Sequence, residues 1–149
     1  MVKVVRSTIL DQPCDAVWEV LRDFNGHDRW HPAIDTSQIE RGESSDRVGC
    51  VRRFTLTDGG ELRERLLTLS DIEQSFSYCL LDTPIPLFNY VSHVRLLPVT
   101  DGDRTFWQWE SRFDTPQGRE DELAELVGDG IYNGGFAAIR DHLEQGAAA

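Results

Sequence analysis

The sequence predicts an α+β fold, a class in which an antiparallel sheet and the helices occupy separate stretches of the chain. Two observations support this class. Strand-like segments follow one another from residue 34 to residue 113, and their connections are too short for the crossovers that parallel strands need. Helical patterns flank this run, over residues 13–24 and 116–145. One more strand is expected before the first helix.

The predicted N-terminal elements are a strand and a helix. β-Branched residues predict the strand over residues 2–10. Residues 11–13, Asp-Gln-Pro, predict a helix start, because a polar cap followed by proline is typical of a first turn. Apolar residues then recur at helical spacing up to Phe24, and Asn25-Gly26 is expected to end the helix. Residues 27–32 are predicted to form a turn before the chain extends again.

The central part of the chain is predicted to be all strand. The expected strands cover residues 34–41, 49–56, 61–70, 74–81, 90–99 and 105–113. Residues 57–60 and 101–103 carry the Asp and Gly residues that are typical of tight hairpin turns. Hairpins join antiparallel neighbours, so the sheet should be antiparallel.

The last predicted helix, residues 116–145, has an apolar stripe and acidic residues in its first turns. Four glycines lie between residues 128 and 135, and each costs a helix about 1 kcal/mol relative to alanine. They either let the helix approach the sheet or leave room above a cavity, or else they mark a frayed or kinked segment. The sequence favours neither explanation. The alanines at 147–149 are expected to form a frayed tail.

Length, charge and cysteine usage restrict the function classes. The 149 residues suit one domain, residues 1–149. There are 26 Asp and Glu residues against 15 Lys and Arg residues, and the net charge of -11 argues against nucleic acid or an anionic membrane surface as a partner. No apolar stretch approaches the roughly 20 residues of a membrane span, and the N-terminus alternates unlike a signal peptide. The three cysteines are far apart, which favours reduced thiols in a cytoplasmic protein.

Two predicted strands place a charged residue among apolar ones. Alternate residues of a strand point to opposite faces. Glu64 therefore shares a face with two leucines of its strand, and Arg52 shares a face with Phe54. An odd loop at residues 57–60 would place both charges on one face, opposed or one diagonal apart. Because a lone buried charge is costly, the two charges should meet.

The same alternation adds two phenols, Tyr78 and Tyr90, to this face. A carboxylate, a guanidinium and two hydroxyls in an apolar shell can orient a ligand oxygen while Glu64 moves a proton. We take Glu64, Arg52, Tyr78 and Tyr90 as candidate catalytic residues; the alternative is a structural ion pair beside hydrogen-bonded tyrosines. The residues expected to contact a ligand are Trp30, His31, Phe54, Leu66, Phe76, Phe88, Ser92, Trp107, Trp109 and Ile131.

Other signals are weaker. His27 and His31 have the spacing of metal ligands on a helix, but Pro32 disfavours a helix there and no third ligand is evident, so no metal is expected. No cofactor is expected either, because the glycine-rich stretch lies inside a predicted helix rather than after a strand. The apolar, proline-rich segment 82–88 is a lid, a stiff packed loop or a dimer contact.

A resemblance extends these expectations. The order of elements, the opening DQPCDAVWEVLRDFNGHDRWHP, the GCVRRF strand and the long last helix resemble the START-like superfamily, also called SRPBCC. This group includes Bet v 1-like and polyketide cyclase/dehydrase-like proteins. The resemblance covers nearly the whole chain. It implies a helix-grip fold, in which a seven-stranded curved antiparallel sheet wraps around a long C-terminal helix and encloses a cavity for an apolar ligand.

Within this group, the segments GCVR, ERL, FSY and NYVSHV are similar to the plant lachrymatory-factor-synthase-like branch. The branch's catalytic arginine and glutamate match Arg52 and Glu64, and its two cavity tyrosines match Tyr78 and Tyr90. Strand alternation selects the same four residues. The connection between the arginine and glutamate strands is shorter here, and a similar pocket does not transfer a substrate.

Three functions fit these expectations. The first is cofactor-independent proton-transfer chemistry, of the isomerase, cyclase or dehydratase type, on a small hydrophobic or aromatic molecule. The second is binding or transport of a lipid or polyketide without chemistry. The third is regulation, with the segment at 84–88 closing on a ligand and recruiting a partner. The protein is expected to be a monomer or a homodimer.

Overall fold

The structure is a computed structural model that describes residues 1–148, so the last residue of the predicted tail lies outside the described residues. A seven-stranded antiparallel sheet has the strand order β1-β7-β6-β5-β4-β3-β2. The strands are β1 (Val2–Leu10), β2 (Ile34–Ile39), β3 (Val51–Leu56), β4 (Glu61–Ser70), β5 (Ser75–Asp82), β6 (Phe88–Val99) and β7 (Arg104–Asp114). The α+β prediction is confirmed, and every central strand forms where the sequence places one.

The helices lie at the two ends of the chain. They are α1 (Cys14–Leu21), α2 (Glu120–Glu125), a π-helical segment (Leu126–Tyr132) and α3 (Asn133–Ala148). Short 3-10 helices cover His27–Arg29 and Glu40–Gly42. No helix of the described residues is long and apolar enough to cross a membrane.

Several predicted boundaries were wrong for identifiable reasons. β2 ends at Ile39 rather than at residue 41, because Arg41 has a left-handed backbone with φ 61° in the 3-10 turn that follows. Helix α1 begins after Pro13, which occupies the N-cap position and makes no side-chain capping hydrogen bond. It ends at Leu21, so Phe24 is buried from a loop rather than from the helix.

The long C-terminal helix is interrupted at its centre. The π-helical segment adds a residue to the turn, so Val127 and Tyr132, which are five positions apart, are both fully buried. A Cβ atom at Gly135 would lie 2.8 Å from Cζ3 of Trp109, so this glycine permits close approach to the sheet. Gly130, in contrast, lines a pocket, and a Cβ atom there would make only an ordinary contact, 3.6 Å from Cδ1 of Leu126. The close approach at Gly135 fits the first explanation, and the π-helical interruption over Leu126–Tyr132 fits the second, an irregular segment.

The core lies between one face of the sheet, here called the inner face, and helices α1 and α3. The inner face of β7 carries the fully buried Trp107, whose ring packs edge-on against Phe136 of α3 with centroids 4.5 Å apart. On β4, the alternate residues Leu62, Glu64 and Leu66 are buried, as predicted. Arg52 on β3 and Glu64 on β4 are both buried, so they do not lie on the solvated face of the sheet.

Candidate functional site

A pocket of about 400 Å³ lies between the inner face, the 3-10 turn at His27–Arg29 and the C-terminal helix. Its volume is within the range typical of small-molecule sites, and its wall is largely apolar. All four candidate catalytic residues contribute to its lining, and seven of the ten predicted contact residues do so. The seven are Trp30, His31, Phe54, Phe76, Trp107, Trp109 and Ile131.

Arg52 and Glu64 face each other directly across the β3–β4 hairpin. Arg52 donates from Nε at 2.9 Å and from Nη2 at 2.6 Å, and both bonds end on Oε1 of Glu64. Nη1 donates to the backbone carbonyl of Phe24 at 2.5 Å. The guanidinium also lies 3.9 Å from the centroid of the Phe24 ring, which adds a cation–π contact. The position of Arg52 is thereby fixed from three directions.

Glu64 has one oxygen committed and one free. Oε1 accepts both bonds from Arg52, while Oε2 has no hydrogen-bond partner among the described residues. Burial raises the pKa of the Glu64 carboxyl, and the nearby Arg52 charge lowers that pKa only in part. A carboxyl with a raised pKa and a free oxygen in an apolar pocket has the environment of a general acid or base.

Tyr78 and Tyr90 are linked through a buried chain of polar groups. Trp109 donates from Nε1 to the Tyr78 hydroxyl at 3.2 Å and to Oγ of Ser92 at 2.9 Å. Ser92 also bonds the hydroxyl of Tyr132 at 3.1 Å, and Tyr132 in turn makes a short hydrogen bond with Tyr90. Burial is the main cause that raises the pKa of Tyr78 to about 12 and the pKa of Tyr90 well above its ordinary value.

Tyr132 was missed by the sequence reasoning. Its side chain is fully buried, and its ring stacks on Trp109 with centroids 4.3 Å apart. In a regular α-helix, Tyr132 would not share a face with Val127, because the repeat is 3.6 residues. The five-residue spacing between these two large residues, in a glycine-rich stretch, is the only sequence signal for the π-helical turn.

His27 also lines the pocket, a place that its spacing to His31 in the sequence does not predict. Its side chain is 6 % exposed, and neither ring nitrogen has a hydrogen-bond partner among the described residues. The ring packs edge-on against Phe54 with centroids 4.6 Å apart. Burial, followed by the charge of Arg52, holds the pKa of His27 well below its ordinary value. No group of three or more His, Cys, Asp or Glu residues in the described part of the chain could hold a metal ion.

Three predicted contact residues do not line the pocket. Phe88 is 51 % exposed, because Asn89 has a left-handed backbone with φ 54° and the resulting bulge in β6 turns Phe88 outward. Leu66 is on the predicted face but is fully buried in the packed core. Ser92 is also fully buried, and it bonds to groups behind the pocket wall.

The segment that precedes β6 contributes two apolar side chains to the pocket. Ile85 and Leu87 line it, and Leu87 is 6 % exposed. Leu87 thus occupies the inward position that the sequence analysis gave to Phe88. The segment is packed against the core through these two residues.

Comparisons with solved structures identify relatives of the whole chain. A protein from Thermobifida fusca is 28% identical, with a TM-score of 0.85, and the match covers 95% of this chain and 93% of that one. The protein XoxI from Bacillus cereus is 26% identical, with a TM-score of 0.85 and 95% coverage of each chain. A START superfamily protein from Mycobacterium smegmatis, 14% identical with a TM-score of 0.79, covers 96% of this chain and 97% of its own, and it shows the likeness of fold.

A comparison with curated proteins gave no match. The family model described as "Polyketide cyclase / dehydrase and lipid transport" matches residues 1–144. That match spans every strand of the sheet and nearly all of the C-terminal helix. The chain therefore belongs to the polyketide cyclase/dehydrase and lipid transport family, and it has the START-like helix-grip fold.

Proposed function

We propose that the protein binds a small apolar or aromatic molecule in this pocket and catalyses cofactor-independent proton transfer on it, of the isomerase, cyclase or dehydratase type. One observation carries the proposal: a buried carboxylate, Glu64, turns a free oxygen toward an apolar pocket while Arg52 holds its other oxygen. A buried ion pair with purely structural duties has no need of an adjoining pocket of about 400 Å³.

The geometry supports a simple reaction step. Oε2 of Glu64 removes a proton from a carbon next to a ligand carbonyl. The C–H electron pair forms the C=C bond of an enolate, and the C=O π pair moves onto the oxygen. Arg52 retains N–H donors on both Nη atoms that have no partner among the described residues, and these stabilise the enolate oxygen. Glu64 then returns the proton to the same carbon or to another one. Return of the proton to a different carbon completes an isomerisation.

A second candidate function is binding or transport without chemistry. The largely apolar wall of the pocket favours it, since such a wall holds an apolar molecule without any proton transfer. The family description also includes lipid transport. Detection of an unchanged copurified ligand by native mass spectrometry would support this alternative.

Deuterium exchange tests the catalytic proposal. 2-Tetralone is an aromatic ketone that is small enough for the pocket and has exchangeable protons beside its carbonyl. In deuterated buffer, we expect the wild-type protein to accelerate loss of the C1 proton signals in the NMR spectrum. Glu64→Gln should reduce that acceleration by at least about 100-fold, because it removes the general base.

A second substitution on the same strand provides the control. Glu61 is exposed on the opposite face of β4, so Glu61→Gln should exchange 2-tetralone at the wild-type rate. Glu64→Asp, which keeps the charge, serves if Glu64→Gln does not fold. A folded Glu64→Gln protein with the wild-type exchange rate would refute catalysis by Glu64.

A further inference from the structure

The hydroxyl groups of Ser92, Tyr132 and Tyr90, with Tyr78 joined through Trp109, form a hydrogen-bonded chain behind the pocket. We call it the hydroxyl chain, and the donor and acceptor of each of its bonds can be assigned. Burial keeps the pKa of Tyr78, Tyr90 and Tyr132 above the ordinary phenol value, so each hydroxyl carries its proton at neutral pH. Each oxygen–oxygen contact in the chain then needs one proton between its two atoms. The direction of every hydrogen bond follows from a fixed point at one end.

That fixed point is the backbone carbonyl of Glu110. Oγ of Ser92 lies 3.0 Å from this carbonyl oxygen, which can only accept, so the Ser92 proton must point toward it. Ser92 therefore accepts from its other two partners, Nε1 of Trp109 and the hydroxyl of Tyr132. With one donated and two accepted bonds, the Ser92 hydroxyl is fully used.

The same reasoning fixes the two tyrosines at the pocket. Tyr132 donates to Ser92, so it can only accept in its contact with Tyr90, and the Tyr90 proton points away from the pocket. Tyr90 therefore offers oxygen lone pairs to a ligand. Tyr78 accepts from Trp109, which leaves its own proton free to be donated. One tyrosine at the pocket is a donor and the other is an acceptor.

We propose that Tyr78 and Tyr90 together select a ligand that carries a hydroxyl group, such as an alcohol, an enol or a phenol, and that Ser92 and Tyr132 are positioning residues that set this selectivity. Tyr78 donates to the hydroxyl oxygen and Tyr90 accepts its proton. An ether or ester oxygen at the same place would face the lone pairs of Tyr90 without a proton between them. The inference rests on the proposed function only in requiring that a ligand enters the pocket.

A matched pair of probes tests this selectivity. 2-Naphthol carries an O–H group, and 2-methoxynaphthalene has the same rings but can only accept. The measured quantity is the ratio of their dissociation constants, by equilibrium dialysis, in the wild-type protein and in variants. The extra methyl group affects every protein alike, so it cancels when these ratios are compared.

Tyr132→Phe removes the acceptor for the Tyr90 proton, which is then free to point into the pocket. We expect 2-methoxynaphthalene to bind about 3- to 10-fold more tightly while 2-naphthol changes little, so the preference for the hydroxyl falls by that factor. Ser92→Ala should change the ratio in the same direction, because Tyr132 then donates to Tyr90 instead. The second variant keeps the test decisive if the first does not fold.

Ser77→Ala is the control. Ser77 is a buried serine on β5 whose hydroxyl bonds that of Thr68 at 2.6 Å and is not a member of the hydroxyl chain. It should keep the wild-type ratio. An unchanged ratio in Tyr132→Phe and Ser92→Ala, or an equal fall in Ser77→Ala, would overturn the selectivity proposal. Absence of saturable binding of either probe by the wild-type protein would instead overturn the proposed binding function.

Discussion

His27 is buried against Phe54 and near the positive charge of Arg52, and neither of its ring nitrogens has a partner among the described residues. Protonation of His27 would add a second cation to this part of the pocket wall. The carboxylate of Glu64 is already bonded to Arg52. The folded protein therefore strongly prefers the neutral imidazole, whereas the unfolded chain binds a proton at the ordinary histidine pKa of about 6.5.

This preference makes stability depend on pH in a definite direction. The pKa of His27 is lowered on folding, so the unfolded state binds more protons below about pH 6.5 and stability falls as the pH decreases through that value. We expect His27 to lower the free energy of unfolding, measured by urea titration, between pH 7 and pH 5, while the raised pKa of Glu64 acts in the opposite direction. His31, whose pKa burial also lowers, contributes in the same direction as His27.

His27→Leu should remove most of this fall, because leucine has no proton to bind. His93→Gln is the matched control, since His93 is exposed on the outer face of β6. If His27→Leu kept the full wild-type pH dependence between pH 7 and pH 5, the interpretation of His27 would be wrong.

Single-residue placement could be predicted from the sequence where the backbone is regular. Arg52, Glu64, Tyr78 and Tyr90 lie on the predicted face because strand alternation has a period of two. Alternation gives the face but not the position along it, which is why Leu66 and Ser92 are buried behind the pocket wall. The donor and acceptor directions of the tyrosines depend on partners from distant strands, and no local pattern contains them.

At the scale of an element, two neighbouring glycines of the C-terminal helix differ in whether their position has room for a side chain. Gly134 and Gly135 are adjacent in α3. A Cβ atom at Gly134 would meet nothing within 4 Å, whereas one at Gly135 would lie 2.8 Å from the ring of Trp109. That ring also stacks on Tyr132 and cannot move away freely. The first glycine only weakens the helix, and the second allows it to pack.

Alanine at these two positions should therefore change stability in opposite directions. Gly134→Ala should raise the free energy of unfolding by up to about 1 kcal/mol, through helix propensity alone. Gly135→Ala gains the same propensity but overpacks the contact with Trp109, which costs about 1–3 kcal/mol. The stability of Gly135→Ala should thus lie below that of Gly134→Ala by about 1–3 kcal/mol in denaturant titration. Equal stability of the two variants would contradict the close contact.

Elements were predictable where their pattern matches one regular period. The strand over residues 61–70 has the predicted bounds, and its buried residues alternate with more exposed ones from Glu61 to Leu66, up to the bulge between Leu66 and Thr68. The bulge at Asn89 and the π-helical turn break the period by one residue, and each break misplaced a side chain: Phe88 in the first case and Tyr132 in the second. A break of one residue leaves the composition of the segment unchanged and so is hard to see in a single sequence.

In the molecule as a whole, Arg52–Glu64 is the buried ion pair among the described residues, the other pairs are partly or fully exposed, and a pocket adjoins the core. The surface pairs, such as Arg22 with Asp71, are solvated and contribute little to stability. The pocket instead leaves apolar side chains without packing partners on one side. A ligand that fills it should therefore stabilise the entire fold.

Thermal unfolding tests this consequence. At 100 times its dissociation constant, 2-naphthol should stabilise the protein by about 2.7 kcal/mol. For a chain of this length, that corresponds to a rise in Tm of about 5–10 °C. Ile131→Trp, which fills the pocket with a larger side chain, should abolish the rise, and Ile72→Trp, at a position that is 94 % exposed, should keep it. An equal rise in both variants would place the probe outside the pocket.

The distribution of tryptophan gives the pocket a built-in optical reporter. Trp30, Trp107 and Trp109 line the pocket, while Trp18 donates its Nε1 hydrogen bond to Asp71 elsewhere. In a Trp18→Phe protein, all remaining indole emission would come from the pocket wall. Entry of a ligand would then change the intrinsic fluorescence directly, so candidate substrates could be screened with the unlabelled protein.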